Sequence, residues 1–401
     1  MLTSFHSRPG RRRFLAGAAA ATATVLAPAP FVLARPAPIR IGVLLPYSGT
    51  YAMLGTAITD GMKLSLAQAG ETLAGRPVEY IIVDSEASPQ QAPQNTRKLV
   101  VRDRVDVLVG PVHSGVALAM AQIVGARGAP LMIIPNAGAD ALTRELCAPN
   151  VFRSSFSNWQ TGYPCGKVMA DDGHRSIVTI TWRYAAGDEI MGAGAEHFEA
   201  LGGRVIKHIR VPFPDVSFQA HLSEIASLAP DAVFAFFSGG GAVQFVRDYA
   251  AAGLKARIPL YGPGFLTEGV AGAQGEAADG IRSTMHYVDD LDIPVNRRFR
   301  DAYRDAYGRE ADVFAVQGYD TGTLIARSAT AVDGDTSAVG DMAAALEGIR
   351  LEGSPRGAWQ MSPAHNPTQT FYLRDVVDGR HRVLGVAAEA LADPATGCTL
   401  A

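Results

Sequence analysis

Short apolar runs alternate along the chain with segments in which apolar residues recur every three or four positions. The first pattern predicts buried β-strands, and the second predicts amphipathic α-helices. The predicted strands cover 39–45, 78–84, 105–110, 130–135, 176–182, 204–211, 231–237, 258–262 and 281–287. The predicted helices cover 54–70, 88–101, 114–126, 159–171, 187–201, 217–227, 241–252, 295–307, 313–332 and 338–348, with Ser88 as N-cap and Pro89 at the first position of the second helix.

The order of these elements and their short connections favour parallel sheets with right-handed helical crossovers. The alternation starts again near residue 150, so we expect an α/β protein of two doubly wound, Rossmann-like lobes. A chain of 401 residues also exceeds the usual size of a single core. Towards the C-terminus apolar and polar residues alternate around Asp378 and Gly379, which predicts an antiparallel hairpin.

The loops that follow the predicted strands carry the candidate binding residues, because open α/β sheets bind ligands beyond the carboxyl ends of their strands. These loops are rich in glycine, serine, asparagine and aromatic residues and poor in charge. Such a composition suits a small, partly apolar ligand. The candidate ligand-binding residues are Tyr51, His113, Ser114, Gly115, Asn136, Ala137, Gly138, Trp182, Tyr184, Ser238, Gly239 and Phe265.

The serine that opens the predicted helix 114–126 has two possible roles. Ser114 is either the N-cap of this helix or a donor to a bound anion, since the first turn has free N–H groups and a partial positive charge. After the next strand, Asn136 and Gly138 can adopt left-handed backbone conformations. Asp140 can cap the helix that follows, which leaves N–H groups free to face a ligand. Both loops are therefore candidates for an anion site.

Composition and motifs exclude several classes of function. The formal net charge is −3, so we expect neither nucleic acid nor an anionic membrane surface as a partner. The nine histidines are scattered without ligand spacing, so we predict no metal site. Segment 162–168 resembles a phosphate-binding loop, but its glycines are too close together and Val168 replaces the required hydroxyl residue, so no cofactor is predicted. No reactive set of side chains stands out, and we do not expect an enzyme.

The first 35 residues are typical of an export signal and are not expected to belong to the fold. Arg11, Arg12 and Phe14 fit the twin-arginine pattern, and an apolar stretch with small residues follows them. Residues 32–34 fit a cleavage site, and no cysteine follows it for a lipid anchor. We therefore expect a periplasmic protein with a cleaved signal and no lipid anchor.

Export to an oxidising compartment allows two of the three cysteines to pair. Cys165 lies in an apolar helical segment, where a buried free thiol is common. Cys147 and Cys398 lie in loop-like segments. We therefore favour a disulfide between Cys147 and Cys398, which would hold the C-terminal tail, residues 392–401, against the rest of the protein.

Six stretches in this order resemble the type I periplasmic binding proteins, specifically the leucine/isoleucine/valine-binding family that serves ABC transporters. The stretches are 39–66, 105–124, 130–140, 150–160, 230–254 and 315–325. The resemblance implies two lobes joined by three crossings, near Arg153, Tyr287 and Pro355. Lobe 1 would comprise residues 38–153 and 286–354, and lobe 2 would comprise residues 154–285 and 355–391.

The resemblance also implies how a ligand is held. In similar proteins the ligand carboxylate is bound at the positions of Ser114 and Gly115 and of Asn136, Ala137 and Gly138, which favours the anion role of Ser114. The expected function is capture of a small carboxylate by hinge closure, by a monomeric solute-binding protein that then engages an ABC permease. A ligand-sensing subunit of a signalling receptor is the alternative, and an exported enzyme is a more distant one.

One loop leaves the class of carboxylate open. Amino-acid-binding members of this family use an acidic residue of lobe 2 to hold the ligand ammonium. The corresponding loop, 262–270, offers Glu268, but it also offers Gly264 or Phe265 at an equally good position. Glu268 in the cleft would indicate a branched-chain or other amino acid, whereas Phe265 there would indicate an aromatic acid or another small carboxylate.

Overall fold

The structure, a computed structural model, describes residues 36–70, 72–125 and 128–401. The predicted export signal, with Arg11, Arg12 and Phe14, lies outside these residues. No helix in the described ranges is both long and apolar enough to cross a membrane.

The N-terminal part of the chain forms a five-stranded parallel sheet, which we call the first sheet. Its strands are β1 (Ile39–Leu45), β2 (Val78–Asp84), β3 (Val107–Val109), β4 (Leu131–Ile134) and β5 (Val151–Arg153). The helices between them are α1 (Ala52–Ala69), α2 (Ala92–Arg97) and α3 (Ser114–Val124). The strand order across the sheet is β2-β1-β3-β4-β5.

The rest of the chain forms a larger second sheet of nine strands. Its strands are β6 (Ser176–Trp182), β7 (Arg204–Val211), β8 (Ala232–Phe236), β9 (Leu260–Pro263), β10 (Arg282–Met285), β11 (Arg350–Leu351), β12 (Trp359–Met361), β13 (Pro367–Val377) and β14 (Arg380–Leu391). The helices are α4 (Asn158–Asp171), α5 (Ala185–Ala200), α6 (Gln219–Leu228), α7 (Gly239–Ala251), α8 (Ala271–Gln274), α9 (Pro294–Tyr307), α10 (Val313–Ala331) and α11 (Val339–Ala344). Strands β13 and β14 form the predicted antiparallel hairpin, which turns at Asp378 and Gly379.

The two sheets repeat one topology. In the first sheet β1 lies between β2 and β3, and in the second sheet β6 lies between β7 and β8. Strands β8, β9 and β10 then follow in the same order as β3, β4 and β5. In such sheets the loops after the two central strands diverge and leave a crevice for a ligand. The predicted doubly wound α/β fold is thus confirmed, and it directs attention to the loops after β1, β3, β6 and β8.

Successive residues of β3 show how the first sheet is covered on both faces. Val107 and Val109 belong to a core cluster with residues of α1 and α10, whereas Leu108 belongs to a cluster with residues of α2 and α3. All three side chains are fully buried, and each such burial contributes about 1.5–3 kcal/mol. Packing on both faces fixes the strand end, and with it the loop that leads into α3.

The start of α2 differs from the sequence-based prediction. The helix begins at Ala92, and Ser88 and Pro89 lie in the turns before it, so Ser88 is not its N-cap. The preceding segment is held instead by Asp84, whose Oδ1 accepts hydrogen bonds from the N–H of Tyr47 at 2.9 Å and of Glu86 at 2.8 Å. Within the turns before α2, Ser88 Oγ accepts from the Gln91 N–H at 3.4 Å.

The C-terminal tail is attached to the first sheet's loops by a covalent and an ionic contact. Cys147 and Cys398, the pair favoured from the sequence, form a disulfide with a Cα–Cα distance of 5.6 Å. Arg144 makes two contacts of 3.2 Å to the Asp393 carboxylate beside it. Cys165 is a buried free thiol, as predicted.

Candidate ligand-binding site

A narrow cavity lies between the carboxyl ends of the two sheets, where the loops after the central strands of each sheet diverge. The space between the lining atoms, open solvent included, is about 320 Å³, of which about 20 Å³ admits a water-sized molecule. The lining residues are Tyr51, Leu54, Val112, Ser114, Asn136, Gly138, Phe156, Asn158, Tyr184, Ala186, Ile190, Phe236, Ser238 and Phe265. Seven of the predicted residues are among them, whereas His113, Gly115, Ala137, Trp182 and Gly239 are not.

The start of α3 is capped by His113 and not by Ser114. His113 Nδ1 accepts a hydrogen bond from the Gly115 N–H at 3.1 Å, so the proton of the neutral ring is on Nε2. Burial lowers the pKa of His113 to about 4, and the ring is therefore neutral at pH 7. The imidazole stacks on the ring of Tyr184, with centroids 4.3 Å apart. Ser114 is thus released from capping and is available as a donor.

Asn158 orients the hydroxyl of Ser114. The side-chain N–H groups of Asn158 donate to Ser114 Oγ at 3.2 Å and to Glu189 Oε2 at 2.6 Å. Because Ser114 Oγ accepts from Asn158, its own hydrogen is directed away from Asn158. Among the described residues, neither this hydroxyl hydrogen nor the Ser114 backbone N–H finds an acceptor. Ser114 therefore brings two free donors to the cavity wall.

The loop after β4 adds a further donor through its backbone. The side-chain amide of Asn136 is committed to Gln317 Oε1 at 2.7 Å, and the Ala137 N–H donates to a carbonyl of the loop before α3 at 3.1 Å. The Gly138 N–H has no acceptor within the described part of the chain, while the Gly138 carbonyl accepts from the Asn158 N–H at 2.7 Å. Gly138 is thus held against Asn158 with its own N–H unpaired.

Four aromatic rings form a continuous wall of the cavity. The centroid of Phe265 lies 5.1 Å from that of Phe156 and 6.1 Å from that of Phe236, which in turn lies 6.3 Å from that of Tyr184. These spacings are those of interacting aromatic pairs. The wall offers an apolar surface suited to a flat or branched hydrocarbon body.

Glu268 is not among the residues that line this cavity. Its Oε2 accepts from Arg374 Nη1, and its Oε1 accepts from the Val313 N–H at 2.7 Å. The two charged side chains are almost completely buried, with 3% and 0% of their surface exposed. Removing a partner from a buried ion pair is costly, so Glu268 is committed to Arg374, and Phe265 is the residue of this loop that reaches the cavity.

Trp182 and Gly239 support the wall from behind. Trp182 is fully buried, with its ring centroid 6.0 Å from that of Tyr51, and its Nε1 donates to the Asp215 carbonyl at 2.8 Å. Gly239 opens α7 with φ 58°, and a Cβ at this position would overlap the carbonyl of Thr50. Glycine is therefore required where α7 meets the loop after β1.

Direct hydrogen bonds connect the loops of the two sheets beside the cavity. The hydroxyl groups of Tyr51 and Tyr184 lie 2.8 Å apart, and Thr50 Oγ1 accepts from the Gly241 N–H at 3.1 Å. Each such bond contributes about 0.5–1.5 kcal/mol. The loop after β1 is thus fastened to the loops after β6 and β8.

Two carboxyl groups, Asp140 and Glu189, meet next to Asn158 but do not line the cavity. Asp140 Oδ1 accepts from the Trp159 N–H at 2.9 Å in the first turn of α4, the next predicted helix, in which Ser157 holds the N-cap position. The Asp140 N–H in turn donates to Glu189 Oε2 at 3.1 Å. Burial, and then repulsion from Glu189, raises the pKa of Asp140 to about 7, and burial raises the pKa of Glu189. The two groups therefore titrate as a pair that carries less than its full charge near neutral pH.

A family model described as periplasmic binding protein matches residues 38–380. The matched span contains both sheets' parallel strands and every residue that lines the cavity. The chain belongs to the periplasmic binding protein family. The resemblance drawn from the sequence, to type I binding proteins of the branched-chain amino acid family, is thereby confirmed.

Relatives of this binding protein include a curated protein and solved structures. Leu/Ile/Val-binding protein homolog 6 of Brucella melitensis is 32% identical over 84% of this chain and 87% of its own length. A solute-binding protein of an ABC transporter from R. palustris, solved in complex with benzoate, is 50% identical, with a TM-score of 0.88 over 90% of this chain and 99% of that chain. Another, from Rhodopseudomonas palustris BisB5 in complex with 3,4-dihydroxybenzoic acid, is 30% identical, with a TM-score of 0.83 over 89% and 99%.

These findings confirm that the protein is a periplasmic solute-binding protein of an ABC transporter. The family consists of substrate-binding proteins and not of enzymes, and it works with a small-molecule ligand and a membrane permease.

Sequence reasoning missed part of the binding protein's cavity wall. Asn158 and Phe156 lie after β5, in a segment read only as the start of the second α/β unit, and Phe236 was taken as a strand residue alone. The rule that strand ends carry ligand sites could not be applied here, because the sequence analysis predicted no strand over 151–153.

Proposed function

We propose that this protein captures a benzoate-type aromatic carboxylate in the periplasm and delivers it unaltered to an ABC permease. The observation that carries the proposal is the position of Phe265 in the cavity wall while Glu268 is committed to Arg374. None of the residues that line the cavity is acidic, so the wall offers no carboxylate to pair with a ligand ammonium. The 50% identical relative from R. palustris was solved with benzoate, which supports the same ligand class here.

The carboxylate would lie at the start of α3. Ser114 supplies its hydroxyl and its N–H, Gly138 supplies an N–H, and the first turn of α3 supplies the partial positive charge of a helix N-terminus. Uncharged donors of this kind hold an anion without the desolvation of a buried cation, and hydrogen bonds to a charged group contribute about 1.5–3 kcal/mol each. The ring would then lie along the wall of Tyr184, Phe236 and Phe265.

Capture proceeds by closure of two lobes, residues 38–153 with 286–354 and residues 154–285 with 355–391, around the crossings near Arg153, Tyr287 and Pro355. The contacts that fasten the closed form are those between the loops of the two sheets, chiefly Tyr51 with Tyr184. A ligand that touches Ser114 on one lobe and Phe265 on the other stabilises only the closed form, and it shifts the population toward it.

The proposal also covers the processing and the oligomeric state of the mature protein. The signal of residues 1–35 is removed after export by the twin-arginine route, no lipid anchor is attached, and the protein acts as a monomer without a catalytic step. Its net charge of −3 gives no reason for a nucleic-acid partner.

The test is a calorimetric and thermal-shift panel on the mature protein with benzoate, cinnamate, leucine, isoleucine and valine. Benzoate at one hundred times its Kd is expected to stabilise the fold by about 2.7 kcal/mol and to raise Tm accordingly. The Ser114→Ala variant should bind benzoate about fivefold to 150-fold more weakly, because it loses a donor to a charged group. Ser223→Ala, which alters an exposed serine of α6, is the matched control.

Two results would contradict the proposal. One is a panel in which only leucine, isoleucine and valine raise Tm. The other is a Ser114→Ala variant that binds benzoate as tightly as the Ser223→Ala control does, since the carboxylate would then lie elsewhere.

A further inference from the structure

Ser238 carries a buried hydroxyl that nothing in the described part of the chain satisfies. The residue is 3% exposed, its Oγ has no hydrogen-bond partner there, and it lines the cavity. It stands at the N-cap position of α7 with extended backbone angles, yet its side chain makes no capping bond. Ser157, at the same position of α4, does cap, accepting from the Gln160 N–H at 3.2 Å. Ser238 thus forgoes the usual role of an N-cap serine.

The second sheet supplies the part of the wall that carries this hydroxyl, and the first sheet supplies the anion donors. Ser238 follows β8 of the second sheet, whereas Ser114 follows β3 of the first sheet. The next residue, Gly239, touches the carbonyl of Thr50, which precedes Tyr51. Ser238 therefore belongs to the part of the wall where the loop after β1 meets the second sheet.

A second spare donor lies in the same part of the wall. The hydroxyls of Tyr51 and Tyr184 share one hydrogen bond, which uses one of their two hydrogens. The other hydrogen has no acceptor among the described residues. Ser238 and the tyrosine pair together leave two hydroxyl hydrogens without a protein partner, and buried donors in that state favour a ligand that satisfies them.

We infer that the cavity is built for an aromatic acid with a hydrogen-bonding substituent, a ring hydroxyl, on the side of the ring away from the carboxylate. Ser238 is the residue that recognises this hydroxyl, and the pair of Tyr51 and Tyr184 borders it. The inference rests on the proposed function, because it takes the carboxylate to lie at Ser114. Unsubstituted benzoate would fill the apolar wall but would leave the Ser238 hydroxyl unpaired.

The experiment measures Kd by calorimetry for benzoate, 3-hydroxybenzoate and 4-hydroxybenzoate on the wild type and on the Ser238→Ala, Ser114→Ala and Ser223→Ala variants. The wild type should bind at least one hydroxybenzoate more tightly than benzoate. Ser238→Ala should raise the Kd of that acid about fivefold more than it raises the Kd of benzoate. Ser114→Ala should raise both by similar factors, because both acids carry the carboxylate.

The outcomes separate this inference from the proposed function. If Ser238→Ala changes the Kd of both acids by the same factor, Ser238 only supports the fold and the inference fails, although benzoate binding stands. If the wild type binds benzoate more tightly than either hydroxybenzoate, the inference also fails, and this result needs no variant to fold. If none of the three acids binds, the proposed function itself is wrong.

Discussion

Replacing Gly138 with alanine tests whether the contact between Gly138 and Asn158 shapes the anion site. A Cβ at position 138 would lie 2.7 Å from Phe156 Cε2 and 2.9 Å from the Asn158 backbone nitrogen, and closer still to Asn158 Oδ1. Carbon atoms in good contact are about 3.5–4.0 Å apart. Phe156 and Asn158 must therefore move to admit the methyl group.

The size of the effect follows from which atoms are displaced. Overpacking of this kind costs about 1–3 kcal/mol. Both displaced residues line the cavity, and Asn158 also holds the Ser114 hydroxyl at 3.2 Å. We expect a lower Tm and a Kd for benzoate that rises about fivefold to 150-fold, since about 1.4 kcal/mol corresponds to a factor of ten.

The assay compares Gly138→Ala with Gly192→Ala by calorimetry and thermal unfolding. Gly192 lies in α5, and a Cβ there meets no atom within 4 Å. Gly192→Ala should stabilise the helix by about 0.5–1 kcal/mol and leave the Kd for benzoate unchanged. A Gly138→Ala variant that is destabilised but binds benzoate within about twofold of the wild type would refute the reasoning, because the site would then not depend on the position of Asn158.

Three further changes test other features of the structure. Cys147→Ser should lower the free energy of unfolding by about 2–4 kcal/mol. Reduction of the wild type with dithiothreitol should cause the same loss. An unchanged Tm in both experiments would mean that the disulfide between Cys147 and Cys398 does not stabilise the fold. The Asp140→Asn variant should become more stable relative to the wild type as the pH rises. The raised pKa of Asp140 stabilises the wild-type fold fully below about pH 4, and this stabilisation is lost as the pH rises to about 7. Urea unfolding at pH 5 and pH 8 measures this gain, on the order of 1–3 kcal/mol, and a gain that is larger at pH 5 would contradict it. Glu268→Gln should cost about 3–5 kcal/mol of stability by leaving the buried Arg374 without its charged partner, with the benzoate Kd unchanged. A large loss of benzoate affinity in the folded variant would show that Glu268 contributes to binding.

The sequence predicted the fold well where one physical rule decides the structure. The long apolar runs of β1 and β6 and the periodic helices α1 and α10 have nearly their predicted bounds, because burial on both faces of a parallel sheet leaves few alternatives. The start of α2 was missed for a different reason. The segment before it is held by Asp84, which also binds the N–H of Tyr47, and no local pattern near Ser88 reports a contact so distant in sequence.

The residues of the candidate site likewise fall into two groups, those that a local rule predicts and those that depend on contacts between distant segments. Ser114, Asn136 and Tyr184 were found because they follow strands, and parallel strands bring their carboxyl ends to one edge. The capping role of His113 and the pairing of Glu268 with Arg374 depend on side-chain packing between distant segments. The spacing of residues in loop 262–270 is compatible with Glu268 or Phe265 in the cavity, and only the buried guanidinium of Arg374, more than one hundred positions later in the chain, decides between them.

The buried thiol of Cys165 has a practical consequence. Burial raises its pKa to about 12, so almost no thiolate forms at neutral pH to react with a maleimide. The other two cysteines of the chain are joined to each other. A single cysteine introduced at an exposed position on the rim of the cavity would therefore be the one site that takes a fluorescent dye under non-reducing conditions, and closure around a ligand would change the surroundings of that dye. The natural chain is thus ready for conversion into an optical sensor of its own ligand without first removing any native cysteine.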